Sequence, residues 1–247
     1  MFNSNILPFD TSKRDRRLRK NKNIIKLVST VSLNINNFIY PLFISNSDEE
    51  IKSMPGIYRL SINSLLKEIE ECLDLGIRNF ILFGVEKRKD GLAKYAYEDS
   101  IVVKAINELK KRYLDDIVLF ADVCLCEYTD TGQCGIIVNN YVDNDITLEL
   151  LGKVALAYSQ VGVDFVAPSS NMDFQVKYIR SILDKYGYKN VGIMAYSAKF
   201  NSSFYGPFRE AANSSPKVGD RSTYQINYNA PYQAINRILK DIEEGAD

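Results

Sequence analysis

Three of the four cysteines, Cys124, Cys126 and Cys134, fall in the stretch 122–135. The apolar run 117–121 leads into it and reads as a buried strand. Residues two apart on a strand face the same way, so Asp122, Cys124 and Cys126 are expected on one face. The polar turn 129–132 is expected to fold Cys134 back toward them. Three thiolates with a fourth position open are the ligand set of a catalytic rather than a structural zinc. The plainer alternative is a group of buried core cysteines.

A second group lies at 196–210, where Lys199 stands among Tyr196, Phe200, Phe204, Tyr205 and Phe208. An apolar setting and nearby cations both disfavour an ammonium. With Arg209 and Arg221 as those cations, the lysine is expected to fall from about 10.4 toward about 7–8. A neutral lysine at a site mouth can form a Schiff base with a ketone, and two arginines suit a carboxylate held bidentately. The alternatives are a surface lysine beside a turn and an aldolase-like Schiff-base site, which would leave the cysteines unexplained. The chain has no histidine. That excludes a Ser-His-Asp triad and histidine-ligated metal, leaving Cys, Lys, Asp, Glu, Tyr and Arg to do any chemistry.

The elements that must position these groups follow a simple rhythm. Strands are expected at 38–44, 80–85, from 117 into the cysteine stretch, 164–169 and 191–196, and helices at 61–75, 98–113, 144–160, 172–186 and from Pro231 onward. Ser61 reads as an N-cap, and Gly76, Gly162 and Gly187 as helix terminators. Cys72 lies on an apolar helix face and reads as core. Strands alternating with helices make a parallel sheet with right-handed crossovers, and its function sits at the strands' C-terminal ends. No glycine-rich dinucleotide fingerprint or Walker A motif is present, which favours a (β/α)8 barrel over an open nucleotide-binding sheet.

The bulk composition is that of a soluble globular chain: 247 residues, 46% hydrophobic, 25% charged, with 31 basic and 31 acidic residues. A zero net charge argues against nucleic acid as a partner. No apolar run is long enough for a membrane span, residues 1–10 do not read as a signal peptide, and a reducing cytoplasm suits the free thiols. Residues 1–37, with a basic cluster from Lys13 to Lys22, read as a subunit-contacting arm, and 38–247 as the barrel domain.

The sequence closely resembles the porphobilinogen synthase (5-aminolevulinate dehydratase) family from about residue 14 to the last. The likeness is carried by Arg16-Arg17-Leu18-Arg19, Met54-Pro55-Gly56, 122–135, Val142-Asp143-Asn144-Asp145, Ala167-Pro168-Ser169, Met172-Asp173, 196–210, Gly219-Asp220-Arg221 and Tyr224-Gln225. It implies a barrel whose arm embraces a neighbour in a homo-octamer, and condensation of two 5-aminolevulinate molecules to porphobilinogen. It implies zinc on Cys124, Cys126 and Cys134, one Schiff-base lysine at Lys199, and a substrate carboxylate on Arg209 and Arg221. Asp122, Ser169, Tyr205 and Gln225 match positions lining the site, and Asp122 joins Lys199 as a candidate catalytic residue.

Three departures from the family pattern carry expectations. Phe174 replaces a usual glycine and is expected to crowd the rim. Arg237 stands near the place of a magnesium-binding glutamate, which puts that second metal in doubt. Finally, Gly245-Ala246-Asp247 repeats the phrase that introduces earlier strands, such as Gly162-Val163-Asp164. About five of eight strands are counted, with two open parallel edges, exposed apolar surface and the second Schiff-base lysine beyond residue 247. The expectation is a partial chain that makes no porphobilinogen alone, or a non-catalytic zinc-binding or oligomer-forming remnant.

Overall fold

A computed structural model describes residues 12–247. The expectation for residues 1–10 falls outside them. The described residues form two units, each compact by itself, 12–37 and 38–247. In the first, a 3-10 turn, Asp15–Arg19, precedes helix α1, Lys22–Leu27, whose Asn21 cap accepts from Asn23 N and Ile24 N. None of its described residues is buried.

The second unit holds β1 (Ile39–Ile44), β2 (Glu49–Glu50), β3 (Tyr58–Leu60), α2 (Ile62–Asp74), β4 (Asn79–Gly84), α3 (Ile101–Tyr113) and β5 (Val118–Val123). It continues through β6 (Ile136–Val138), β7 (Tyr141–Asp143), α4 (Asn144–Gln160), β8 (Phe165–Pro168), α5 (Gln175–Lys185), β9 (Gly192–Ile193), α6 (Gly206–Ala211) and α7 (Pro231–Glu243). The main sheet runs β2-β3-β1-β4-β5-β8-β9. The five expected strands are β1, β4, β5, β8 and β9, adjacent in chain order and parallel. That is the winding of a barrel wall.

Both faces of the sheet are covered, so the strands read as apolar runs. Alternate residues part to the two sides. Leu42, Ile44, Phe80, Leu82, Leu119 and Ala121 join a core with α2 to α5. Phe43, Ile81, Phe83 and Phe120 line the other face, with Phe208 of α6 packed on them. The apolar stripes of α2 to α5 are therefore core, as is Cys72.

Helix ends follow the glycine rule. Gly76, Gly162 and Gly187 have φ of 85°, 91° and 88°, a conformation other residues enter at a cost. Ser61 caps α2 through Ser64 N, and Asp143 caps α4 through Ile146 N. The strand lead-in is a repeated device. Asp164 N donates to Leu119 O at 3.1 Å while its Oδ2 accepts from Leu119 N at 2.7 Å. Asp247 does the same to Ile193, at 3.0 and 2.8 Å.

Several expectations change. The edge beside β1 is not open. β3 pairs parallel with β1, and β2 closes it antiparallel with exposed Glu49 and Glu50, charges that discourage further pairing. Strand five shortens to two residues, although Met194 N and Tyr196 N still bond to Val166 O and Pro168 O. The exposed apolar surface that was expected falls on α7, with Ile235, Ile238, Leu239 and Ile242 outward. Its inward side carries Arg237, which meets Asp173 at 3.1 Å and buried Asp241 at 3.0 Å and also donates to Met172 O. Both neighbouring carboxylates are thus engaged by a guanidinium.

Phe174 does not crowd the rim. It adopts the left-handed region, φ 62° and ψ 17°, and is 59% exposed. A glycine takes that conformation freely, whereas an L-residue loses about 1–2 kcal/mol there. Phe174→Gly is therefore expected to stabilise the chain by about 1 kcal/mol in urea unfolding, with no change in metal content.

Candidate active site

Strand β5 ends at Val123, and the cysteines lie beyond it. A turn follows, in which Tyr128 N and Thr129 N both donate to Leu125 O. This turn, rather than strand alternation, places Cys126 beside Cys124, their Sγ atoms 3.3 Å apart. A second turn returns Cys134, and all three Sγ atoms lie within 4.8 Å of one another, buried. Tyr224 packs against the three. Its hydroxyl accepts from Cys134 N at 3.3 Å and donates to Gln133 Oε1 at 2.5 Å.

Gly132 makes the return possible. Its φ is +69°, and a Cβ there would lie 2.2 Å from Ser215 O, a backbone atom. Gly132→Ala meets left-handed strain and an overlap together, so a loss of more than about 2 kcal/mol is expected. Denaturant unfolding and bound-metal stoichiometry should fall together in that variant.

Electrostatics set the three sulfurs apart. Burial raises the Cys124 thiol, but bonding from the Cys126 and Cys134 thiols outweighs it and holds Cys124 well below the usual thiol range. The cost falls on the partners: the Cys124 bond and burial push Cys134 up to about 12, and Cys126 moves up for the same reasons. A metal ion bound by the trio would displace the remaining thiol protons into solvent.

Two carboxylates stand beside it. Asp122, Cys124 and Glu127 form a second group of ligand atoms within 4.8 Å. Burial and the neighbouring charges of Glu127 and Cys124 raise Asp122 well above the carboxylate range. Burial, then the Cys124 charge, pushes Glu127 up to about 7. Sequence reasoning counted the thiols and Asp122 and passed over Glu127, although it lies inside the same stretch. It also passed over Lys89, in the polar loop after β4, whose ammonium donates to Asn213 O and faces Glu127 and Cys126.

Lys199 reaches the same place from the far side. Its Nζ donates to Ser169 O at 2.7 Å and lies 5.7 Å from the Tyr196 ring centre. The expected fall in its pKa does not occur. Burial pulls the ammonium down, but the anionic forms of Cys134, Cys124, Asp122 and Cys126 face it and raise it above its ordinary value. Lys199 is tied to the 219–227 segment by Asn201 N to Ile226 O, 2.8 Å, and Ile226 N to Lys199 O, 3.0 Å. Asn171 Nδ2 bonds Tyr224 O at 2.9 Å from the β8 side.

The remaining expected residues are placed unequally. Ser169 is buried against Lys199, and its backbone N donates to Val123 O. Gln225 is 4% exposed, with neither side-chain amide atom bonded within the chain. Arg209 stacks over Tyr205, guanidinium to ring centre 6.0 Å, and its buried Nε has no partner. Arg221 differs from expectation. It is 2% exposed, and its Nη2 bonds Gly132 O at 3.0 Å and Ser214 O at 2.5 Å. Its Nη2 braces the backbone around the cysteine turn, while its buried Nε, like that of Arg209, has no partner within the chain.

A barrel wall with buried thiols, carboxylates and a lysine at the strands' C-terminal rim defines an α/β-barrel enzyme site. The family model described as delta-aminolevulinic acid dehydratase matches residues 12–247. The chain is 49% identical to the delta-aminolevulinic acid dehydratase of Helicobacter pylori over 240 residues, 95% of this chain and 74% of that one. It is 44% identical to that of Staphylococcus epidermidis, with the same shares covered. Among solved structures, the delta-aminolevulinic acid dehydratase (porphobilinogen synthase) of Toxoplasma gondii, in complex with its reaction product porphobilinogen, superposes with a TM-score of 0.89 at 38% identity. That match covers 98% of this chain and 70% of that chain. The chain belongs to the delta-aminolevulinic acid dehydratase family.

Proposed function

We propose that the chain acts in porphobilinogen synthesis, a lyase reaction that condenses two 5-aminolevulinate molecules with loss of two waters and feeds haem and other tetrapyrroles. The observation that carries the reading is the convergence of Lys199 with the three-cysteine cluster. In this reading Lys199 Nζ attacks the ketone of 5-aminolevulinate. The carbinolamine then loses its oxygen as water, leaving a C=N bond. Asp122 faces the ammonium and can take up or return its proton. Ser169 O holds Nζ at the start of that path. Arg209, with Nε unspent, takes the substrate carboxylate. Gln225 and Tyr205 border it, and Arg221 serves indirectly by fixing the cysteine turn.

The donor set fits zinc: three buried sulfurs close together, soft ligands and no histidine. Cys124, Cys126 and Cys134 would hold it, and it would supply Lewis acidity toward a substrate heteroatom or water. Arg237 already occupies the carboxylates Asp173 and Asp241, so no magnesium is assigned there. Assembly into a homo-oligomer, octameric by likeness to the family, is supported by the arm: Leu27, Val31 and Leu33 are exposed and no described arm residue is buried. Among the described residues no helix is long and apolar enough to cross a membrane, and free thiols suit a cytoplasmic setting.

Borohydride tests the central step. It reduces a Schiff base to a stable secondary amine, adding the mass of one 5-aminolevulinate less one oxygen atom. Peptide mapping should find that mass on Lys199. An adduct confined to other lysines would overturn the reading.

A further inference from the structure

Helix α6 carries Arg209 but is only six residues long, too short to hold itself in place. Its position is set from outside at two points. On one side, Phe208 packs on Phe43 and Phe83, ring centres 5.9 and 5.3 Å away. On the other, the carbonyls of its last residues and of the segment just after it are bonded by cations from distant segments. Arg59 of β3 donates from Nε to Ala211 O at 2.9 Å and from Nη2 to Glu210 O at 2.5 Å. Lys89 donates to Asn213 O, and Arg221 to Ser214 O. Cations at a helix C-terminus also oppose its partial negative charge. Arg59 has the firmest hold, because one guanidinium spans two successive carbonyls while Nη1 is anchored on Glu49 at 2.9 Å.

We propose that Arg59 is a positioning residue for the substrate carboxylate. Its fork fixes the last turn of α6, and through one turn of helix it fixes the direction in which Arg209 presents its guanidinium. The bonds of Arg59 go to Ala211 O, Glu210 O and Glu49, so its influence is expected on binding. This rests on the reading of Arg209 as the carboxylate anchor.

The test follows trapping on Lys199 against 5-aminolevulinate concentration, with zinc content measured in the same samples. Arg59→Met is expected to raise the half-saturating concentration about tenfold, since a displacement of about 1 Å is enough to spoil a bidentate clamp. Plateau trapping and zinc stoichiometry should stay as in the parent. Arg59→Lys, which keeps the charge without the planar fork, should lie between. A merely structural role would instead lower plateau, zinc content and folding together, and that pattern overturns the proposal. Arg209→Met, measured in parallel, separates the two layers. If it raises half-saturation and Arg59→Met does not, the positioning role alone is wrong. If Arg209→Met has no effect, the anchor reading beneath it is wrong.

Discussion

Lys199→Met should abolish trapping of 5-aminolevulinate at this site while the chain keeps its fold and its metal. Methionine preserves an apolar stem of similar length, so the packing beside Tyr196 is retained. The variant loses the Nζ bond to Ser169 O, a loss on the order of 1–3 kcal/mol for a charged donor. That is bearable for a chain with this core. What it cannot replace is the amine. Adduct should fall to background, and turnover by any assembly containing the variant at least about a thousandfold. Lys199→Arg sharpens the test. It keeps a cation opposite Cys124, Cys134 and Asp122, so zinc content should be nearer the parent's, yet guanidinium does not form the Schiff base. Trapping retained in either variant would show that another lysine carries the chemistry.

Cys124→Ala should be the most damaging change to metal binding, with an affinity loss well over a hundredfold. Changing groups that only support a metal's ligands already costs about 10–100-fold, and Cys124 is a candidate ligand itself. It also has a place the other two lack. It is the sulfur whose ionisation the trio favours, and it belongs to both groups of clustered ligand atoms. Without it only two sulfurs, Cys126 and Cys134, remain, one fewer than the three protein ligands of an open zinc site. Chelator competition with purified protein would measure the loss, and denaturant unfolding without metal should change little. Unaltered zinc affinity in Cys124→Ala would remove the three-thiol site from the account.

The cluster itself was legible in the sequence because its three cysteines are close in the chain. The cause of their convergence was not. Alternation suggested a strand through Cys126, whereas β5 stops at Val123 and hydrogen bonds to Leu125 O turn the chain. Lys199 was found from its aromatic company and its place after a strand, but its electrostatics came out with the opposite sign. Burial acts as expected. The facing charges, however, come from the β5 end, about seventy residues away in sequence, and such pairings are invisible to local pattern. Arg221 shows the same limit. Its presence was clear, while its use on Gly132 O and Ser214 O depends on where two loops meet.

Among the fold elements, long periodic helices and the apolar strands were readable, since both faces of the sheet are buried. β2, β3 and α6 were not, because two to six residues carry no period. β3 matters out of proportion to its length, since it closes the edge beside β1 and carries Arg59. Phe174 was misjudged because the sequence shows a side chain's bulk but not its direction, and the left-handed backbone there turns the ring to solvent.

The central claim is that the thiols and Lys199 serve one substrate. Cobalt(II) in place of zinc tests it directly, because its visible absorption reports changes among its ligands. Adding 5-aminolevulinate to the cobalt-loaded chain should shift that absorption, and the shift should be lost or much reduced in Lys199→Met. A spectrum unmoved by 5-aminolevulinate, under conditions where borohydride still traps it on Lys199, would contradict the account and make the metal and the lysine separate sites.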